Sequence, residues 1–470
     1  MRQLSGLDAA FLSLETEKTP MHIGGVSIID PNPPHGHLDL DSFKEYLASR
    51  LHMAPAFRER LAAVPLSLGR PYWIRDDSLD LDLHIERTQL PEPGGLKEIS
   101  ALMAWETSQM LNRDRPLWRV VLAEGVDNVE GTPKGSIALI SLVHHAAIDG
   151  VSGAEIMSVL YEPTEKPREV PPPADEPAQE PGKLDLLRKT GGNLVTSPKT
   201  LTQAISKTAG GLLKGRSFRS QNAEVLPLPF SAPRTRWSGP VDKERVWAPA
   251  ILELSRIREI RRKTGATVND VVLTVCAGAL RDYLLLKDEL PEKPLVAMVP
   301  VSVRTEDEKG TMGNQVSAML VSLATNVEDP LERMAEIRRS ADASKVYHQA
   351  VGAKTLTDSA VFMPFSVAGL ATRLYTRFHL AERVAPVFNL VITNVPGPQI
   401  PLYVNGGRLV AHIGTAPLFD GMGLMLPVFS YNGVLAVGVT SCRSMMKDAD
   451  RLANFLESSL GDLEEVVASD

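Results

Sequence analysis

Ser136-Ile-Ala-Leu-Ile-Ser-Leu-Val-His-His-Ala-Ala-Ile-Asp-Gly150 is the stretch on which the reading of this 470-residue chain turns. Eight mostly apolar, β-forming residues up to Val143 predict a buried strand that empties into a polar loop. Ser152, followed three residues later by Glu155, has the spacing of a helix capping box ahead of Ile156, Val159 and Leu160. His144 to Gly150 therefore sits between a strand and a helix N-terminus, where a side chain is held rigidly yet faces a cleft. An imidazole so placed can act as a general base near neutral pH, provided that its ring and tautomer are fixed. Asp149, four residues after His145, is the local candidate for fixing it, and Gly150 lets the chain turn sharply. The competing reading is a hydrogen-bonded structural histidine at a strand end. Chance produces His-His-x-x-x-Asp-Gly in roughly one chain in a thousand of this length, which favours function. Metal binding fits less well, because adjacent histidines point in different directions and no second His or Cys cluster offers matching ligands.

At His144, His145, Asp149 and Gly150 the chain resembles the bacterial wax ester synthase/diacylglycerol acyltransferases. Their His-His-x-x-x-Asp-Gly motif is shared with the wider superfamily of CoA-dependent acyltransferases, which includes chloramphenicol acetyltransferase and the condensation domains of peptide synthetases. The rest of the chain has to separate these branches.

Composition sets the bounds. With 43% hydrophobic and 23% charged residues the chain is a globular protein long enough for two cores. A net charge of −7 argues against nucleic acid as a partner. Cys276 and Cys442 are the only cysteines, so no disulfide framework exists and a reducing cytoplasm is the expected compartment. The first residues, Met-Arg-Gln-Leu-Ser-Gly-Leu-Asp, lack the apolar core of a signal peptide. The charge-free run from Ser359 to Thr372 contains Pro364 and falls short of the roughly 20 residues that span a bilayer.

In the first half, Leu4 to Leu14 reads as a lead-in and Met21 to Ile29 as a strand. Asp41 to Met53 carries Phe43, Tyr46, Leu47 and Leu51 at helical spacing. Arg58, just beyond, is a candidate to pair with Asp149, against the alternative of a solvated helix end. Leu96 to Leu111 is a second helix, leading into Leu-Asn-Arg-Asp-Arg-Pro-Leu-Trp from 111 to 118, where Pro116 ends the helical geometry and a strand to Ala123 begins. The family has a similar Asp-Arg-x-Arg-Pro-Leu-Trp segment. Here Asn112 replaces its first acid, and Arg119 stands where an acid is common, so Pro116, Leu117 and Trp118 are the part carried over. Trp118 reads equally as a core aromatic under the sheet or as a substrate contact.

Seven prolines between Pro163 and Pro181 mark a linker, and from Lys183 to Arg219 eight Lys or Arg stand against one acid, Asp185. Interspersed leucines make this a basic amphipathic segment, suited either to an anionic lipid surface or to packing along the domains with its charges in water.

In the second half, Leu254 to Lys263 is helical, and Thr267 with Asp270 has capping-box spacing that places Asn269 in a first helical turn. The family carries an Asn-Asp motif here, and the resemblance implies that Asn269 can aim an amide donor at a reacting carbonyl; capping alone is the other reading. Pro294 to Val303 reads as a strand ending in Pro-Val-Ser-Val-Arg, as in the family, with Arg304 a second candidate partner for Asp149. Further strands are expected at Val316 to Leu323, from Asn389, and at Arg408 to Ala416, Met422 to Ser430 and Gly433 to Val439, with helices at Asp329 to Ser340 and Asp448 to Leu460.

The resemblance spans nearly the whole chain and is weakest from about 161 to 235. It implies an α/β (α+β) fold of two chloramphenicol-acetyltransferase-like domains, mixed sheets with flanking helices and the active site at the domain interface. The domains are placed at 1–161 and 236–470, joined by a linker at 162–235. The implied function is transfer of a long-chain acyl group from acyl-CoA, as substrate, to diacylglycerol or a long-chain alcohol, without metal or other cofactor. His145 is the expected base, supported by His144, Asp149 and Gly150. Partners are acyl-CoA, the lipid acceptor and a membrane or lipid-inclusion surface, at a cytoplasmic location. A serine hydrolase is disfavoured because Gly150-Val-Ser-Gly-Ala lacks the closing glycine of Gly-x-Ser-x-Gly. A carrier-protein-linked condensation enzyme and a non-catalytic lipid-surface protein remain the alternatives.

Overall fold

The computed structural model describes residues 1–31, 38–65, 69–148, 153–172, 182, 185–186, 188–189, 226–227, 230–302, 316–351 and 384–469. The first half runs β1 (Arg2–Gln3), α1 (Gly6–Leu14), β2 (His22–Asp30), α2 (Leu40–Ala48), β3 (Glu59–Ala62), β4 (Tyr72–Arg75), β5 (Ile85–Gln89), α3 (Leu96–Ser108), β6 (Trp118–Val126), β7 (Ser136–His144) and α4 (Gly153–Leu160). The second runs β8 (Arg245–Glu253), α5 (Leu254–Thr264), α6 (Val268–Leu286), β9 (Val296–Ser302), β10 (Val316–Ser322), α7 (Pro330–Val351), β11 (Leu390–Pro396), β12 (Tyr403–Val404), β13 (Gly407–Thr415), β14 (Leu424–Tyr431), β15 (Val434–Cys442) and α8 (Ala449–Ser469).

Two six-stranded mixed sheets carry the fold. The first has the order β12-β13-β2-β7-β6-β5 and the second β10-β9-β11-β14-β15-β8. β7 lies in the middle of the first sheet and every residue in it is buried, which accounts for its unbroken apolar run. The first sheet is not built from the first half alone: β13, from the chain's last quarter, lies antiparallel to β2 and pairs Thr415 with Gly24 and Arg408 with Asp30. Gly24 is required where β2 meets β7, because a Cβ there would stand 1.9 Å from the Ser141 carbonyl oxygen.

One face of the first sheet packs on α1, α2, α4 and the aromatic pair Phe57 and Trp118. The other packs on α3 and on Trp247 and Ala436 of the second half. α6 is buried on nearly all sides, as its charge-poor sequence demands, and it sits with α5, α7 and α8 in the second core.

Several elements differ from their sequence reading. The lead-in at 4–14 is the helix α1, whose Leu12, with the preceding Leu4, belongs to the core. α2 stops at Ala48, and a separate 3-10 turn is formed by Leu51–Met53. α7 and α8 run on to Val351 and Ser469, beyond the ends read from the sequence. β8 escaped the sequence reading because Pro249 interrupts its alternation; among the described residues it pairs with β15 alone. Residues 359–372 and almost all of 183–219 lie outside the described residues.

Candidate active site

His144 is the last residue of β7, and its backbone is held from both sides: its N–H donates to the Leu117 carbonyl, and β7 pairs it with His22 across the sheet. The chain then enters a 3-10 turn at His145–Ala147, tighter than the polar loop expected, with Ala146 and Ala147 buried. That turn aims the two imidazoles into different surroundings.

The His144 side chain is sealed in the core. Its Nδ1 accepts from the Ala146 backbone N–H at 3.0 Å, so the proton of the neutral ring resides on Nε2. Nε2 faces Glu15 Oε1 at 3.3 Å, close enough for strong electrostatic attraction although its angle falls short of a well-formed hydrogen bond. Glu15 closes α1 and gathers further donors: the Met21 N–H at 3.2 Å, and Arg113 through Nε at 3.0 Å and Nη2 at 2.7 Å. Burial pushes the Glu15 carboxyl up, but contacts with His144 and Arg113 outweigh it and bring the group down to about 2. His22, beside this cluster, is driven down to about 4 by burial, against the Gln109 carbonyl that its ring contacts.

His145 is half-buried. Its ring lies flat on Phe11 of α1, with centroids 3.8 Å apart and planes 21° from parallel, and its N–H donates to the Met21 carbonyl at 2.8 Å. The position is therefore fixed by α1 and by the segment that leads into β2.

The Pro116-Leu117-Trp118 segment supports this arrangement. The Leu117 carbonyl is the one that receives the His144 N–H, and Trp118 donates from its indole to the Phe57 carbonyl at 3.0 Å while stacking on His84 at 4.3 Å. Trp118 is both a core aromatic and part of the wall of a cavity. That cavity, of about 900 Å3, is mostly apolar and lies between the halves. Val143 and Ile148, on either side of the two histidines, line it together with α4 residues Ile156, Met157 and Leu160. β11, β13 and β14 supply the facing wall, including Val395, His412 and Phe429.

Asn269 sits in the first turn of α6. Thr267 and Asp270 form the expected capping box: the Asp270 N–H donates to Thr267 Oγ1 at 3.2 Å and the Thr267 N–H to Asp270 Oδ2 at 2.9 Å. Asn269 Oδ1 accepts from Asn394 Nδ2 of β11 at 3.3 Å, which orients the amide so that its own NH2 points elsewhere. Asp270 is thus a cap, with its second carboxylate oxygen buried and unpartnered among the described residues. Arg58 has no ion-pair partner among the described residues, and Asp149, Gly150, Ser152 and Arg304 lie outside them.

Sequence reading missed Glu15, Phe11, Arg113 and Asn394. Arg113 stood inside the motif-like 111–118 run, but its partner lies 98 residues earlier at the end of a segment read as a lead-in.

A model of the wax ester synthase/diacylglycerol acyltransferase catalytic domain matches residues 4–272, and one of the WS/DGAT C-terminal domain matches 312–464. The chain belongs to the wax ester synthase/diacylglycerol acyltransferase family. Among its relatives, a Mycobacterium tuberculosis protein named as a probable diacylglycerol O-acyltransferase is 35% identical over 477 residues, covering 98% of both chains. The O-acyltransferase WSD of Acinetobacter baylyi is 33% identical over 483 residues, covering 100% of this chain and 98% of the relative. The solved wax ester synthase/diacylglycerol acyltransferase from Marinobacter aquaeolei VT8 superposes with a TM-score of 0.68 at 29% identity, covering 99% of this chain and 100% of that one. The starter condensation domain of rhizomide synthetase shares the fold, with a TM-score of 0.56 at 16% identity and coverage of 99% of this chain and 94% of that one. The two-domain α/β expectation therefore holds for this member of the family. Among the described residues no helix is long and apolar enough to cross a membrane, and no group of three or more His, Cys, Asp or Glu could hold a metal ion.

Proposed function

We propose that the protein is an acyl-CoA-dependent O-acyltransferase that moves a long-chain acyl group to the hydroxyl of a diacylglycerol or a long-chain alcohol, with His145 as general base. The observation that carries this reading is the unequal treatment of the two histidines. His144 is committed to Ala146 and Glu15 and sealed from solvent, whereas His145 is half-exposed at the strand end and fixed flat on Phe11. That stacking holds the ring in one orientation, which supports its assignment as the base.

In the proposed reaction His145 takes the proton of the acceptor hydroxyl as its oxygen attacks the thioester carbon. The tetrahedral oxyanion collapses, the carbon–sulfur bond breaks, and the same proton passes to the departing thiolate. The Asn269 amide, oriented by Asn394, is placed in the role of a donor to the oxyanion. The apolar cavity is assigned to the aliphatic chain. The thioester supplies its own leaving group, so the proposal assigns no step to a metal. The basic, leucine-bearing stretch from Lys183 to Arg219 is assigned to the anionic surface of a membrane or lipid inclusion, from which both substrates would be drawn.

Release of free CoA thiol from purified protein and palmitoyl-CoA, with dioleoylglycerol, hexadecanol or no acceptor, tests the reading. Acceptor-dependent release with ester formation is the expected result. Release that ignores the acceptor would make the protein a thioesterase, and no release with either acceptor would contradict the proposal.

A further inference from the structure

Among the polar groups in the wall of the mostly apolar cavity is a hydrogen-bonded cluster. Ser27 of β2 and His412 of β13 are directly paired across the strands, and Ser27 Oγ lies 2.8 Å from His412 Nδ1 and 2.5 Å from the Tyr161 hydroxyl. Ser27 and Tyr161 are buried and His412 is half-buried, and both Tyr161 and His412 line the cavity. Its Nε2 has no partner among the described residues and is not among the fully enclosed unpaired atoms.

The proton order along this chain is determined by its end at Tyr161. If His412 Nδ1 donated to Ser27, then either Ser27 would accept from Tyr161 as well and leave its own hydroxyl proton without an acceptor among the described residues, or Ser27 would donate to Tyr161. The phenolic proton would then need another acceptor, and none exists among the described residues. The satisfied arrangement runs the other way: Tyr161 O–H donates to Ser27, Ser27 O–H donates to Nδ1, and His412 presents a neutral Nε2–H to the cavity. Enclosure by protein, which holds this imidazole down to about 4, keeps that donor neutral.

A plain alkyl chain lying against this N–H leaves it without an acceptor, a real cost in an apolar space. The ligand that fits has an oxygen at this depth. Five residues of β2 separate Ser27 from His22, the cross-strand partner of His144, or about 17 Å at roughly 3.4 Å per residue. An extended chain advances about 3.6 Å per three bonds, so this depth corresponds to about fourteen bonds, less the reach of the two imidazoles. The ester carbonyls of a diacylglycerol lie only a few bonds from its reacting hydroxyl and cannot reach so far.

Resting on the transferase reading above, we propose that the Tyr161–Ser27–His412 relay is a specificity site for acyl chains oxygenated near the twelfth carbon. A hydroxyl or oxo oxygen there accepts from His412 Nε2–H. His412 in this role is a binding residue remote from the reacting bond.

The test compares 12-hydroxyoctadecanoyl-CoA with octadecanoyl-CoA under a fixed acceptor, with 2-hydroxyoctadecanoyl-CoA as a positional control. The intact protein is expected to favour the 12-hydroxy donor at least tenfold in kcat/KM, by about one hydrogen bond's worth, and to gain nothing from the 2-hydroxy group. His412→Phe is expected to reverse the preference, Ser27→Ala to weaken it, and His412→Gln, which keeps a donor, to retain part of it, with circular dichroism confirming that each variant is folded. Equal turnover of both donors by the intact protein would overturn the proposal. So would an equal loss on both donors in His412→Phe, the signature of a structural role or of contact with the pantetheine arm. Calorimetric binding of 12-hydroxyoctadecanoate against octadecanoate gives the same comparison without turnover. A protein that turned over neither donor would contradict the transferase reading, and this binding preference would still decide the site.

Discussion

Glu15 and His144 meet at 3.3 Å with side chains only 1% exposed, linking the end of α1 to the end of β7 directly beneath the candidate base. Arg113 completes the link from the Pro-Leu-Trp segment, so three elements distant in sequence converge on one carboxylate. On the proposed mechanism Glu15 would act through His144 and the His145 turn rather than on substrate, as a positioning residue.

Removing that carboxylate should therefore damage both the fold and the reaction. Glu15→Ala leaves a buried imidazole and a guanidinium without their partner, and the expected loss is about 3 kcal/mol in urea unfolding. Glu15→Gln keeps an oxygen toward His144 and should lose less. Where folded, both should show kcat reduced by up to about 100-fold, as for a misplacement of about 1 Å, with little change in KM. Loss of stability without loss of kcat would confine Glu15 to the fold.

Acid should lower the protein's stability across two pH windows. His22 and His412 have folded values of about 4, below the ordinary 6.5, so as pH falls from 6.5 toward 4 the unfolded chain binds protons that the folded chain refuses. Stability declines through that window. Glu15, lowered from 4.5 to about 2, adds its own loss below pH 4.5. Thermal unfolding between pH 8 and 3 should show the midpoint falling with acid, and His412→Phe should flatten the upper part of the decline.

Asn394 should matter to catalysis through Asn269. Replacing Asn269 with Ala should reduce kcat by about 100-fold, the usual effect of removing an oxyanion donor. Asn394→Ala should reduce it less, by letting the Asn269 amide rotate. Pre-steady-state acyl transfer would separate this from product release, and an unchanged rate in Asn269→Ala would leave that residue as part of the helix start only.

Cavity shape should set chain length. Met157 on α4 lines the cavity, and Met157→Trp should shift the preference from long to shorter acyl donors. Each methylene excluded is expected to change kcat/KM by about 1–3 kcal/mol. An unchanged chain-length profile would place the chain elsewhere.

The elements legible in the sequence were those whose pattern is local. The unbroken apolar run of β7, the Thr267–Asp270 cap and the helical spacing of apolar residues in α2 each report one element's own surroundings. The Glu15–His144 contact was not legible, because a lone acid at the end of an apolar segment carries no period and gains its meaning only where α1, β7 and the 113 segment meet. The same holds for β13: its strand character was clear, but its membership of the first half's sheet, and hence the Ser27–His412 pairing, comes from topology that periodicity does not encode. The family motifs located the His-His pair; which histidine is sealed in the core and which stays half-exposed on Phe11 required the 3-10 turn at 145–147.

The most direct test of the account is acyl transfer by His145→Ala, assayed with the acceptor that the intact protein uses and with donor binding and folding checked alongside. The account predicts a rate lower by about 100- to 10,000-fold, with the donor still bound. A folded His145→Ala protein that transfers acyl groups at close to the original rate would remove His145 from the mechanism and contradict the assignment of the site.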